Sequence, residues 1–429
     1  MPEVSAAPRK QNLLRSVGRS IGLGLITGAA DDDCSAIGTY AQAGAQLGYK
    51  ALWTAPVTFP MMVAVVYLSG KLGQVTGQGL FSVLRSHAPR WLLYLILAGV
   101  LVGNIIEAGA DIGGMAAALG ILVHLPQWMI VAGVTAAALV LQIWGSYQLI
   151  RNVFRVLAMS LLAYILSAFL SHPQLGEVAR GTLVPTLRWD RNTLSILVAI
   201  VGTTLSAYLY TWQSNEEVEE KVAAGKHTLW ERRGTTHRQL RNTLWDVIWG
   251  MLFSNVVMYF IILATSATLF VSGHHNIETA ADAARSLEPL AGKAAGLLFT
   301  LGIIGVGFLA VPVMTTGAAY DVAQSLNWKN GLHRKPGEAR AFYAAIVVFT
   351  LLAMGLNFLR INPMRALVLA GIVQGFSTPP LMLLIMVMTN RRSIMGNKVN
   401  GRVINVLGWI TTAVIFAASG CLLVSWVWN

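Results

Sequence analysis

The sequence predicts an all-α polytopic membrane protein, and three observations carry that prediction. Hydrophobic residues make up 55% of the 429-residue chain and charged residues only 12%, roughly half the ~25% charge of an ordinary soluble chain. The mean hydropathy is +0.60. Apolar stretches of about 20 residues, the length that crosses a bilayer, recur along the whole chain. So little charge cannot cover a soluble surface. The 31 Lys and Arg against 19 Asp and Glu would suggest nucleic acid in a soluble protein. Here no nucleic-acid partner is expected; the partner is the lipid bilayer, and the positive excess belongs in cytoplasmic loops.

Eleven spans are expected, at residues 20–46, 51–69, 91–122, 127–145, 152–170, 194–213, 244–272, 294–325, 341–359, 364–389 and 403–428. Residues 1–19, with Arg9, Lys10, Arg15 and Arg19, read as a short cytoplasmic tail, and 20–429 as a single transmembrane domain. The loops test the order of the spans. With the amino end inside, the tail and the inner loops hold 23 of the 31 Lys and Arg, including Lys71, Arg85, Arg90, Arg151 and Arg155. Eight fall outside: Lys50, Arg180, Arg188, Arg191, Arg285, Lys293, Arg360 and Arg365. A wrong span count would scramble this alternation. It fits eleven helices, amino end in and carboxyl end out, in the cell (inner) membrane. Cys34 and Cys421 both lie in apolar stretches, which excludes a disulfide framework or a cysteine-rich zinc site.

Two spans look interrupted. The first reads Gly22 to Ala30, then Asp31-Asp32-Asp33-Cys34-Ser35, and resumes at Ala36. The sixth reads Gly202-Thr203-Thr204-Leu205-Ser206-Ala207-Tyr208, polar in mid-span. Broken helices five apart are the sequence mark of a transporter built from two inverted five-helix repeats, here helices 1–5 and 6–10 with the eleventh added.

Five acids fall within expected spans away from the ends of the long helices that carry Asp246 and Asp321: Asp31, Asp32, Asp33, Glu107 and Asp111. An acid at mid-bilayer costs at least ~2.5 kcal/mol on insertion scales. Glu107 and Asp111 are four apart and share a helix face. No Lys or Arg is expected at the depth of Asp32 and Asp33, so these carboxylates take up protons or hold a cation. Asp31 and Glu107 serve equally well as supporting residues. All eight histidines, at 87, 124, 172, 227, 237, 274, 275 and 333, fall in expected loops. That leaves hard oxygen ligands, which suit Mg²⁺, Ca²⁺ or Mn²⁺ better than Cu or Zn. Cys34 is read as a small residue at the break. Gly73, Gly77 and Gly79 are placed in a loop and lack the context of a phosphate-binding turn. Glu216, Glu217, Glu219 and Glu220 are expected on a solvated helix face, and Asp246 and Asp321 are read as structural.

At the first span the pattern becomes specific. Gly28-Ala-Ala-Asp-Asp-Asp33-Cys-Ser-Ala36-Ile-Gly-Thr-Tyr-Ala-Gln-Ala-Gly-Ala-Gln46-Leu-Gly48-Tyr, followed by Leu68-Ser-Gly-Lys-Leu-Gly-Gln-Val-Thr-Gly77, resembles the Nramp divalent-metal transporters. The resemblance spans helices 1–10. It implies the LeuT-type inverted-repeat fold, with a metal site between helices 1 and 6, the metal being cargo and no cofactor being needed. The family's Asp-Pro-Gly-Asn is matched here by Asp33-Cys34-Ser35-Ala36, keeping the aspartate and replacing the asparagine ligand by Ala36. Its Met-Pro-His is matched by Ser206-Ala207-Tyr208, losing the thioether and the histidine tied to proton movement. With Glu107 and Asp111, and with Trp212-Gln213 and Glu216-Glu217-Val-Glu-Glu220, the chain looks like the Nramp-related magnesium transporters, a branch associated with Mg²⁺, Mn²⁺ and uncoupled transport.

That resemblance implies the site. Asp33 binds the ion directly or through water, and Asp32, Glu107 and Asp111 supply charge and outer acceptors. Ser206 and the carbonyls of Ala30 and Thr203 supply neutral oxygens, and Ala36, Tyr208 and Gln374 line the cavity. Mg²⁺ usually keeps several waters and takes one or two carboxylates, and loss of the asparagine and methionine enlarges the site. The alternatives are a proton-coupled Mn²⁺/Fe²⁺ transporter of the Nramp type and a sodium-coupled organic-solute symporter, whose substrate carboxylate three adjacent aspartates would repel. A channel on the same site is a further alternative. An intramembrane aspartyl protease would carry Tyr-Asp and Gly-X-Gly-Asp, which are absent, so no enzymatic activity is expected.

Overall fold

A computed structural model describes residues 23–145, 147–187, 190–275, 277, 283–284, 293–359 and 363–427. Helices dominate. Among the described residues, eight are long and apolar enough to cross a membrane, from Thr54–Thr76 to Arg402–Cys421, and Arg340–Leu356 and Ser377–Asn390 are shorter apolar helices. With the interrupted first span, each of the eleven expected segments coincides with a helix or a helix pair.

Both expected interruptions are present. The first span consists of Leu23–Asp31 and Cys34–Leu47, with Asp32 and Asp33 between them. The Asp33 carboxylate caps the second half-helix by accepting from the Ala36 N–H at 2.7 Å. It thereby satisfies one of the amides that every helix start leaves unpaired. The sixth span consists of Arg191–Thr204 and Ala207–Ala223, broken at Leu205 and Ser206. Ser206 caps the second half-helix without a side-chain bond.

The first half of span 1 lies against His237–Thr265, the seventh span. Gly24 and Gly28 make this approach possible. A Cβ on Gly24 would sit 2.2 Å from the Asp246 carbonyl oxygen, and one on Gly28 2.1 Å from that of Gly250. Small residues four apart are how helices approach closely in lipid. The seam brings the first break beside Ser254. Arg90–Leu122, the third span, packs against Lys293–Ser325 and Pro363–Asn390. The second half of the sixth span packs along Thr54–Thr76.

Several helices outrun their expected ends. The second continues to Thr76, so Lys71 and Gly73 are helical rather than in a loop. The apolar reading stops at the first charge. The helix continues because the Lys71 ammonium donates to Asn400 Oδ1 at 2.9 Å. The Ser69 hydroxyl donates to the Tyr210 carbonyl, and Gly73 meets the Ser214 backbone, where a Cβ would come within 2.5 Å of the Ser214 oxygen. The Leu68–Gly77 stretch is thus a packing strip for the sixth span, ended by Gly77 at φ +67°. His87 closes a short helix and His237 opens the seventh span, so these two are helical as well.

Candidate metal site at the two helix breaks

Five carboxylates gather around the first break. Asp31, Asp32 and Asp111 are 0% exposed, Asp33 1% and Glu107 5%. They form two groups. On one side, the Ser35 hydroxyl reaches Asp33 Oδ1 at 2.6 Å and Glu107 Oε1 at 3.4 Å. Asp111 lies one turn further along the third span, and the Cys34 and Ser35 amides approach it. On the other side, the Ser254 hydroxyl lies 3.0 Å from Asp31 Oδ2 and 3.2 Å from Asp32 Oδ1. One hydroxyl has one proton, so it cannot fully satisfy both acids.

At this break four carboxylate oxygens lack a donor of good geometry: Asp31 Oδ1, Asp32 Oδ2 and both oxygens of Asp111. The Asn104 amide is buried and likewise without a partner, and the buried Tyr40 hydroxyl lies near Thr203 without good hydrogen-bond geometry. Asn104 is three residues from Glu107 and seven from Asp111, which extends their polar face along the helix. A buried polar group left unpaired costs about 1–3 kcal/mol, more when charged. Between described residues the one contact of a basic side chain with a carboxylate is His333 Nδ1 with Glu219 Oε2 at 2.9 Å, away from this break. So much unmatched acid is the electrostatic signature of a place for a cation, protons or ordered water.

The sixth span contributes Tyr208, 0% exposed. Its hydroxyl lies 2.8 Å from the Ala30 carbonyl oxygen and 3.1 Å from Asp33 Oδ2, its one proton shared between the two acceptors. Ala30, Asp33 and Tyr208 therefore converge, with Ala36 beside them through its N–H. Ser206 and Thr203 are engaged elsewhere. The Ser206 hydroxyl donates back to the carbonyls of Gly202 and Thr203, at 3.1 and 3.0 Å. The Thr203 hydroxyl donates to the Ala199 carbonyl at 3.0 Å. These two groups cap their own half-helix. Gln374 lies on the tenth span, and its side chain falls outside the described residues. Cys34, small and buried at the break, directs its thiol to the Ile303 carbonyl at 3.7 Å. Among the described residues, no three His, Cys, Asp or Glu side chains close around a common point. The groups at hand are single carboxylates with neutral oxygens.

Ser254 was not evident in the sequence; a lone serine in an apolar span carries no signal beyond its polarity. Asn104 could have been found from its spacing to Glu107 and Asp111. The acids at the end of the sixth span differ from expectation. Glu216, Glu217 and Glu219 are buried at 2%, 3% and 2% exposure, not on a solvated face. Gln74 donates to Glu217 at 2.5 Å, and Tyr320, the Leu332 N–H and His333 all bond Glu219. Their partners come from distant segments, which the local charge run could not reveal. Asp246, read as structural, accepts from the Gly24 N–H at 2.8 Å and anchors the seam. Asp321 is buried, with both oxygens lacking a partner of good geometry near Thr211.

The family model described as natural resistance-associated macrophage protein-like matches residues 24–425. A divalent metal cation transporter MntH from Klebsiella pneumoniae (strain 342) is 26% identical over 392 residues, covering 90% of this chain and 89% of that protein. Among solved structures, a manganese transporter from Eremococcus coleocola, in complex with an aromatic bis-isothiourea substituted compound, superposes with a TM-score of 0.79 at 16% identity, over 96% of this chain and 87% of that one. A Na⁺-coupled sialic acid symporter gives 0.61 at 11% identity, covering 96% and 92% of the two chains. These likenesses establish the LeuT-type inverted-repeat fold of a multi-pass membrane protein, and the match across residues 24–425 places the chain in the Nramp family.

Proposed function

We propose that the protein carries divalent cations across the cell (inner) membrane by alternating access, Mg²⁺ foremost and Mn²⁺ as well. One observation carries this reading: buried acids with unmatched oxygens surround a helix break where the Ala30 carbonyl and Asp33 face the same point, the Tyr208 hydroxyl. The relatives' names, a divalent metal cation transporter and a manganese transporter, support the substrate class. The preference for Mg²⁺ rests on the ligand set. Ala36 and Ser206 stand where the resemblance places an asparagine and a methionine, leaving hard oxygens only. Mg²⁺ dehydrates reluctantly and takes few carboxylates, and a thioether would favour softer transition metals.

In this reading Asp33 and the Ala30 carbonyl face the ion, and Asp32, Glu107 and Asp111 hold its waters and balance its charge. Ser206 and Thr203 join after the sixth span rearranges, and Gln374 faces the cavity. Residues 20–429 act as one membrane domain, with the amino end cytoplasmic and the carboxyl end outside. Transport is not coupled to protons. The metal is cargo, not cofactor, and no catalytic step is involved.

The experiment is uptake into proteoliposomes loaded with a metal-sensitive dye, with Mg²⁺, Mn²⁺ and Ca²⁺ offered separately. Mg²⁺ entry above that of empty vesicles, lost in Asp33→Asn, is expected. Entry of Mn²⁺ without Mg²⁺ would remove the magnesium assignment and leave a manganese transporter.

A further inference from the structure

We propose that the Tyr208 hydroxyl is a latch that holds the unloaded site shut, filling the space between the two oxygens that the ion must take. The inference rests on Asp33 and Ala30 being ion oxygens. Tyr208 sits in the first turn of the second half of span 6. Its ring is wholly buried, so its orientation is fixed by packing rather than by solvent. The hydroxyl lies 2.8 Å from the Ala30 oxygen and 3.1 Å from Asp33 Oδ2. Both oxygens belong to the first break, so this one group ties the two broken helices together.

The phenolic proton points into the electron-rich space between a carbonyl and a carboxylate, the space that the proposed ion takes. A cation cannot share that space with a donor proton, so loading displaces the hydroxyl. The remaining bonds of Asp33, to Ser35 at 2.6 Å and to the Ala36 N–H at 2.7 Å, both go to Oδ1. Oδ2 is therefore the oxygen that the latch covers. Two consequences follow. Ion binding works against the bonds that Tyr208 makes, so the latch weakens affinity for every divalent ion alike. Loading also severs the tie between spans 1 and 6, which frees the two breaks to move relative to each other.

The test is Tyr208→Phe, which keeps the ring and removes the hydroxyl. Titration calorimetry on the purified protein should show Mg²⁺ and Mn²⁺ binding tighter, by about fivefold, the size of one net hydrogen bond. The metal-free variant should melt at a lower temperature than the wild type, while its metal-induced rise in melting temperature should be larger. A residue with a merely structural role would give lower stability and weaker binding together. Unchanged or weaker affinity in a folded Tyr208→Phe protein overturns the latch. Asp33→Asn separates the two readings: full Mg²⁺ affinity in that variant would remove the site itself. Lost affinity there, with no gain in Tyr208→Phe, would remove only the latch. A second measurement uses the wild type carrying ring-labelled tyrosine. The infrared difference spectrum on adding Mg²⁺ should show a phenol leaving its donor position, and a flat spectrum in that region overturns the proposal even if Tyr208→Phe fails to fold.

Discussion

Two clusters of buried acids are handled in opposite ways. At the first helix break, Asp31, Asp32 and Asp111 keep four carboxylate oxygens without a donor of good geometry. At the end of the sixth span, Glu217 and Glu219 are as deeply buried, yet each is answered. Glu217 accepts from Gln74 and Gln213. Glu219 accepts from Tyr320, the Leu332 N–H and His333. Beside them the Lys221 ammonium donates to the carbonyls of Gln74, Arg232 and Gly234. Residue type and burial are the same; only satisfaction differs. A satisfied network stabilises one conformation. An unsatisfied one is retained because something from outside completes it. The second cluster is therefore a clamp between the sixth span, the eighth span and the loop after it, and the first is the proposed site.

The sharpest way to break that contrast is to neutralise one acid in each cluster. Asp33→Asn should lower Mg²⁺ uptake by more than about 100-fold, since it removes the one carboxylate that both breaks share; tenfold in rate is about 1.4 kcal/mol. Expression and melting temperature should barely change. Wild-type uptake by the variant would take Asp33 out of the site. Glu219→Gln should do the reverse. It weakens charge-assisted bonds, costing about 2 kcal/mol of stability, and the protein should melt a few degrees lower while the Kd for Mg²⁺ stays put. A Glu219→Gln protein of normal stability that no longer binds metal would mean that the clamp is part of the path.

The two clusters also differ in how far the sequence revealed them. The spans were legible because hydropathy is a local property, and the breaks because Asp31-Asp32-Asp33 and Thr203 to Ser206 are polar in mid-span. The central acids followed from the same reasoning, since a charged residue inside an apolar stretch stands out without knowledge of its partners. The clamp did not follow. Whether Glu219 is solvated depends on Tyr320 and His333, more than 100 residues away, and a run of four acids looks alike in either case. Ser254 was hidden for the same reason. Its role comes from the Gly24–Gly28 seam that sets it against Asp31 and Asp32. Ser206 shows the converse. Its place at the break was legible, but its hydroxyl turns back to cap Gly202 and Thr203, a local competition that spacing does not reveal.

A smaller effect would sharpen the site rather than break it. Restoring the softer ligands with Ala36→Asn and Ser206→Met should lower Mg²⁺ uptake relative to Mn²⁺ by a few-fold. The thioether adds affinity for the transition metal and takes up room that Mg²⁺ waters need. Ala36 is buried and its N–H already caps Asp33, so the asparagine has to fit a crowded turn. The fair comparison is the uptake ratio of the two ions within one variant, not absolute rates. An unchanged ratio would show that selectivity is set outside these two positions.

The smallest expected effect is none at all, on proton flux. A relay has to lose a proton as the metal binds and pass it on. Histidine suits this, with an unperturbed pKa of about 6.5. Here Tyr208 stands where the resemblance places a histidine, and tyrosine, at about 10, is a poor relay near neutrality. The one histidine bonded to an acid among the described residues, His333, belongs to the clamp at Glu219, not to the central site. The rival carriers are Glu107 and Asp111 themselves. Glu107 shares the Ser35 hydroxyl with Asp33, so an ion at Asp33 lies close enough to hold Glu107 ionised, and uncoupled transport requires Glu107 to be ionised before the ion arrives as well. Proteoliposomes with a pH-sensitive dye inside and a Mg²⁺ gradient across the membrane should take up metal with no matching change in internal pH. The uptake rate should be indifferent to an imposed proton gradient. Acidification that tracks Mg²⁺ entry and disappears in Glu107→Gln would make Glu107 the carrier, and the central acids would then be a proton path as well as a metal site.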